Sequence, residues 1–158
     1  MLRAVPALML ALFVSGAHAR ASSPIPKRWS SVSPQYLQRI PVVARAALQQ
    51  AQRLCGEDDI WVRDGFLRYL NDLAGGEFVV VHFDEFRCDD AQAFCSSDGC
   101  LHRVFFAKSG HQYREVWRGR VNEIDMNLGP GQPSMNIYCG ANAPSCNRQL
   151  RWDGARFR

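Results

Sequence analysis

The sequence has no apolar stretch long enough to cross a bilayer as a helix, a span that needs roughly 20 consecutive apolar residues. It has no run of five like charges, so the polyionic arm of a nucleic-acid binder is missing and no specific nucleic acid is expected. Ser96 and Ser97 lack the G-x-S-x-G context that would present a serine nucleophile. Strand patterns do not alternate with long helical ones, which speaks against a doubly wound sheet. What remains is a mildly basic chain of 158 residues with a formal charge of +4.

Its first segment reads as an export signal. Arg3 precedes the apolar run Leu8-Met9-Leu10-Ala11-Leu12-Phe13-Val14, and Ala17-His18-Ala19 supplies the small-x-small cleavage pattern. Residues 1–19 are therefore expected to be a signal peptide, and Arg3 is their only charged residue, which leaves the rest at +3. The expected location is the periplasm or the exterior, with no membrane span after cleavage. Residues 20–33, rich in Ser and Pro, read as a flexible N-terminal arm, and residues 34–158 as a single domain. The cluster Arg148, Arg151, Arg156 and Arg158 reads as a solvated face.

All six cysteines lie beyond the signal, and an even count in an exported chain points to three disulfides. Sequence alone leaves the pairing open. Local geometry suggests Cys139–Cys146 around a turn-rich insert and Cys95–Cys100 around Ser96-Ser97-Asp98-Gly99, which leaves Cys55 for Cys88. A zinc site at Cys95, Cys100 and His102 is the rival reading. It lacks a second close cysteine pair, so no metal and no cofactor are expected.

Ser33-Pro34 is a helix-start signal, and Pro41 breaks that turn and starts a longer helix. Val43, Ala47, Ala51 and Leu54 form its predicted apolar stripe, and Cys55-Gly56 its stop. Beyond residue 60 the pattern is β. Phe78 to Phe83 is a β-branched and aromatic run, and Arg103–Ala107 with Gln112–Trp117 reads as a hairpin. Residues 121–127, 135–139 and 148–152 add strands, and Asp153-Gly154 a turn. The predicted fold class is α+β: an N-terminal amphipathic helix on a mostly antiparallel sheet of about five to six strands, stabilised by disulfides.

Cys55-Gly56 after an amphipathic helix, Cys88 with Cys95 and Cys100 before Val104-Phe105-Phe106, and the closing Leu150-Arg151-Trp152-Asp153-Gly154-Ala155-Arg156-Phe157 together give a resemblance. The chain, over most of residues 41–158, resembles a family of small exported proteobacterial cysteine-containing proteins without assigned activity. Members of that family carry a D-x-N-x-D-G-type loop similar to the calcium loops of integrin-type repeats. The loop falls on Tyr69 to Phe78, where Tyr69, Leu73 and Ala74 replace a carboxylate, a further ligand and the turn glycine. Asn71, Asp72 and Glu77 alone keep oxygens, too few for a calcium ion that takes six to eight. The resemblance thus implies a degenerate loop that serves as a turn into the strand at Phe78.

His82 and Asp84, with Glu85, close the apolar strand and offer a His–Asp pair for general-base work. The plainer reading is a strand turning polar at its exposed end. His102, His111 and Glu115, with Arg103 or Arg114, supply the residue types of a secreted ribonuclease, without a diagnostic spacing. Tyr113 and Trp117 are an even number apart and are expected on one strand face, in the core or, if outside, as a sugar- or protein-binding platform. Phe105, Phe106, Trp61 and Trp152 belong to the same aromatic group. The expectation is a non-enzymatic exported domain that binds a protein or a cell-envelope component. The alternative is a small secreted hydrolase, nuclease-like, using His82, Asp84, His102 or His111.

Overall fold

Ser33 starts the first helix, its hydroxyl accepting a hydrogen bond from the Tyr36 amide at 3.1 Å, with Pro34 in the first turn. This supplies one of the orphan donors of a helix N-terminus. In this computed structural model, which describes residues 28–56, 60–89, 93–108, 112–140 and 143–158, α1 spans Pro34–Arg39 and α2 spans Val42–Cys55. Gly56 ends α2 in the left-handed conformation, its amide donating to the Gln52 carbonyl at 3.2 Å. The expected signal peptide and residues 20–27 of the expected arm lie outside the described residues, as do the hairpin tip at 109–110 and His111.

The buried stripe of α2 is Ala44, Ala47, Leu48 and Ala51, which shares Ala47 and Ala51 with the predicted one; Val43 packs at its edge, but Leu54 is 56% exposed. Cys55 sets this rotation. It is disulfide-bonded to Cys88, and it stands seven residues, about two turns, after Leu48, so the bridge holds that face inward. The other two disulfides join Cys95 to Cys100 and Cys139 to Cys146.

The strands are β1 (Ser30–Ser31), β2 (Trp61–Val62), β3 (Leu67–Asn71), β4 (Gly76–His82), β5 (Phe86–Arg87) and β6 (Cys95–Ser96). They continue with β7 (Gly99–Lys108), β8 (Arg114–Val121), β9 (Glu123–Asn127), β10 (Ser134–Tyr138) and β11 (Arg148–Arg151). All the pairings among them are antiparallel, but the strands form three sheets rather than one. The central sheet runs β3-β4-β7 and then carries both β6 and β8 on β7. A second sheet orders β11-β10-β9, and a small one orders β1-β2-β5.

Alternation along β4 and β7 divides the interior into two cores. Val79, Val81 and Phe105 face α2 together with Phe66, Phe83, Phe86 and Phe94. Phe78, Val80, Val104 and Phe106 face the second sheet, meeting Ile124, Met135, Ile137, Trp152 and Phe157. The layers are therefore helix, central sheet, second sheet. A mostly hydrophobic β4 follows directly, because a strand buried on both faces loses the polar half of its alternation.

Two local expectations change. The end of the expected arm is not free: Ser30 and Ser31 pair with Val62 and Trp61, and Arg63 stacks over Trp29. Tyr113 and Trp117 do not share a face. Trp117 opposes Val104 while Glu115 opposes Phe105, so Val116 is an extra residue that reverses parity. Tyr113 packs on the helix-side core and Trp117 on the other.

Candidate functional site

Two places gather chemistry-bearing side chains. The first lies at the end of β4, where His82 and His102 are directly opposed in register. Both point toward the second sheet by alternation, and both are buried, His102 completely. The expectation of a polar, exposed strand end at His82 is thus overturned. The strand does not leave the core there, because β7 and the β8–β9 corner cover it.

His102 Nε2 lies 3.2 Å from the Val121 carbonyl oxygen. A carbonyl only accepts, so Nε2 carries the proton and Nδ1 presents its lone pair. That Nδ1 is 3.1 Å from His82 Nδ1. Asp84 follows in the 3₁₀ turn Phe83–Glu85, and its Oδ1 stands 3.9 Å from each of these two nitrogens. The same Oδ1 is buried without a hydrogen-bond partner among the described residues. Burial pushes His102 below the ordinary histidine range; the Asp84 carboxylate and the Val121 carbonyl oppose the shift without cancelling it. The ring is therefore neutral near pH 7. Beside His82 is a cavity of about 50 Å³, lined also by Arg68, Ile124 and Asp125.

Of the expected ribonuclease set, His111 lies outside the described residues, and the described members do not come together. His102 faces the second sheet, whereas Arg103 and Glu115 lie on the opposite face. There Glu115 accepts from Arg103 Nε at 2.6 Å and from Arg118 at 2.9 Å, a surface network. Arg114 is used elsewhere, donating to the Ala155 and Gly154 carbonyls. Ser96 lies in β6, and its hydroxyl accepts from the Asp98 amide. The Tyr69–Phe78 segment is a β-hairpin: Asn71 opposes Glu77, and the Gly75 amide donates to the Asp72 carbonyl at 3.0 Å. Glu77 accepts from the Tyr113 hydroxyl. Asn71, Asp72 and Glu77 hold a turn.

The second place is the small sheet. Ser31 opposes Trp61 and Trp61 opposes Arg87, so Trp29, Trp61, Arg63 and Arg87 share one face. Val62 and Phe86, on the other face, are buried in the helix-side core. Trp29, Trp61, Arg87, Cys88 and Asp89 line a cleft of about 370 Å³, and Trp61 is 41% exposed. The Cys55–Cys88 bridge forms part of its wall. A further concavity of about 480 Å³ is bounded by Arg28, Arg39 and Arg63 with Tyr36 and Tyr69.

Tyr113 and Trp117, packed against opposite cores, form no joint aromatic platform. Tyr113 is tied to Glu77, and the Trp117 ring lies against Gly119, where an added Cβ would come within 2.7 Å of it. The aromatic residues that line a cleft are Trp61, a member of the expected aromatic group, and Trp29, which the sequence alone leaves in the arm. Their signal was two tryptophans in short polar segments with no amphipathic pattern to bury them. No family model, no curated protein and no solved structure matches this chain.

Proposed function

We propose that this protein is an exported, disulfide-stabilised binding domain whose ligand is a glycan of the cell envelope, held in the Trp29–Trp61 cleft. Residues 1–19 act as its signal peptide and deliver it to the periplasm or the exterior. The observation that carries the reading is Trp61: a large indole left 41% exposed in a cleft beside a second tryptophan and a disulfide. Aromatic side chains carry much of the energy at recognition sites because one rigid ring offers a broad apolar face. Such a face suits the C–H side of a pyranose ring. The Arg87 guanidinium and the Asp89 carboxylate border the same cleft and suit hydroxyl and carboxylate groups.

The hydrolase reading has less support. Its best acid–base pair, His82 and His102, is buried against a cavity of about 50 Å³, room for a water or two and not for a sugar or nucleotide. The absence of a helix long and apolar enough to span a membrane among the described residues, together with three disulfides, fits an exported domain.

Tryptophan fluorescence of the oxidised protein, titrated with soluble peptidoglycan fragments, tests the reading. The expected result is a saturable change that Trp61→Ala abolishes while its melting temperature stays within a few degrees of the parent. Unchanged fluorescence, or equal binding by Trp61→Ala, overturns it. Intact-mass analysis of the exported protein tests the signal: loss of residues 1–19 is expected, and retention refutes it.

A further inference from the structure

From the geometry at the end of the central sheet we propose that His82, His102 and Asp84 form a binding site for one divalent first-row transition ion of the zinc class. The site is separate from the tryptophan cleft and does not depend on the glycan reading.

The donor atoms form a triangle of the right size. The two Nδ1 atoms are 3.1 Å apart, and Asp84 Oδ1 is 3.9 Å from each. Two imidazole nitrogens on a tetrahedral ion at about 2.05 Å stand roughly 3.3 Å apart, close to the spacing found. An ion placed about 2.05 Å from both nitrogens, on the side of Asp84, lies about 2.2 Å from the carboxylate oxygen. That is a coordination distance, open to the ion once His82 moves the Nδ1 proton it donates to the His102 Nδ1 lone pair onto its own Nε2.

The surroundings supply the other parts of such a site. The His102 Nε2–H bond to the Val121 carbonyl fixes the tautomer and aims the Nδ1 lone pair inward, the usual outer-shell partner of a ligating histidine. Asp84 Oδ1 is a buried carboxylate oxygen without a hydrogen-bond partner among the described residues. Such an oxygen costs free energy to bury, and a cation removes that cost. The cavity of about 50 Å³ beside His82 leaves room for a water to complete the coordination. Arg68 lines that cavity and opposes a cation, but Asp125 lines it too and Glu123 acts on His102 with Asp84, so carboxylates outnumber the guanidinium.

The donor set selects the ion. Two imidazoles and one carboxylate suit zinc and its neighbours, whereas calcium and magnesium take oxygen cages. All six cysteines are in disulfides, so no thiolate competes for the metal. The bound ion would tie β4, β7 and the Phe83–Glu85 turn at one point, and through Val121 the β8–β9 corner as well.

Isothermal titration of the tag-free, chelator-stripped, oxidised chain with zinc chloride decides the matter, with calcium chloride as the contrast. One zinc per chain with micromolar or tighter affinity is expected, a raised melting temperature with zinc, and no response to calcium. Asp84→Asn keeps the size and lies at a partly exposed position, so it should fold with the parental metal-free melting temperature and bind zinc at least tenfold more weakly. His82→Gln should remove binding, with circular dichroism confirming that it is folded. Absence of stoichiometric zinc binding by the parent, or parental affinity in a folded His82→Gln or Asp84→Asn, overturns the site.

Discussion

A Cβ on Gly99 would stand 2.2 Å from the carbonyl carbon of Val121, so the start of β7 and the β8–β9 corner touch main chain to main chain. The Val121 carbonyl is also the acceptor for His102 Nε2. Gly99 has φ +117°, a region that side chains with a Cβ rarely adopt. Close approach, backbone conformation and the orientation of the buried imidazole therefore meet at one glycine.

Gly99→Ala is expected to destabilise the fold by about 2–4 kcal/mol, combining backbone strain with a contact that cannot relax through a side chain. Chemical denaturation measures it. A loss under about 0.5 kcal/mol, within the usual range for surface changes, would show that the β8–β9 corner can move aside.

Phe78 is fully buried and touches Phe106, Trp152 and Phe157, with ring centroids 4.7, 5.2 and 5.6 Å away. It joins the central sheet to the second one. Phe78→Ala should cost about 3–5 kcal/mol, the range for removing a buried aromatic ring. Tyr69→Ala, on the same hairpin but 49% exposed, should cost under about 1 kcal/mol. Equal losses in the two variants would contradict the layer arrangement.

The three bridges should differ in worth. Cys55–Cys88 spans 33 residues and Cys95–Cys100 only 5. On the chain-entropy account, removing the first costs about 4 kcal/mol and removing the second about 2 kcal/mol. Paired Cys→Ala variants, compared by melting temperature under non-reducing conditions, check the order. The reverse ranking would count against it.

Tyr36 and Tyr113 should titrate late. Burial pushes Tyr113 up to about 12, aided by its hydrogen bond to Glu77, and burial raises Tyr36 to about 12. Both phenols are harder to ionise folded than unfolded, so their contribution is complete below about pH 10 and is lost as pH rises toward 12. Ultraviolet phenolate titration of the folded protein at pH 11 should leave these two protonated. Tyr113→Phe should remove one of the late steps, and an unchanged titration curve would refute the assignment.

Glu115 governs part of the acid side. Burial disfavours its charged form, but hydrogen bonds from Arg118 and Arg103 outweigh burial and hold its carboxyl below the usual range. Its contribution is present above about pH 4.3, the unfolded value, and is lost as pH falls through the lower folded one. The network is solvent-exposed, so the effect is about 0.5 kcal/mol and shrinks in high salt. The difference in melting temperature between the parent and Glu115→Gln should therefore be larger at pH 7 than at pH 3. A difference that does not change with pH would remove Glu115 from the acid limb.

Local chemistry was legible in the chain before its fold was known. The β-branched run around Val79 forms β4, the Val104–Phe106 and Glu115–Trp117 segments pair as β7 with β8, and Asp153 accepts from the Ala155 and Arg156 amides at the turn with Gly154. Each of these depends on residues close in sequence, where spacing and turn preference act directly. In α2, Val43, Ala47 and Ala51 meet the core as their spacing predicts, while apolar Leu54 is exposed because the Cys55–Cys88 bridge holds the Leu48 face inward.

What the sequence by itself determined was therefore the class of elements, an even set of cysteines and a chain with antiparallel strands held by disulfides. Only the tertiary structure decided which residues meet. His82 and His102 are twenty residues apart and come together because β4 and β7 pair in that register and no other. A single extra residue at Val116 sends Tyr113 and Trp117 to opposite cores, and pairing of two-residue strands turns Trp29 and Trp61 to one face. The physical reason is the two-residue period of a strand: a shift of one position exchanges inside for outside, and that shift is set by partners distant in the chain.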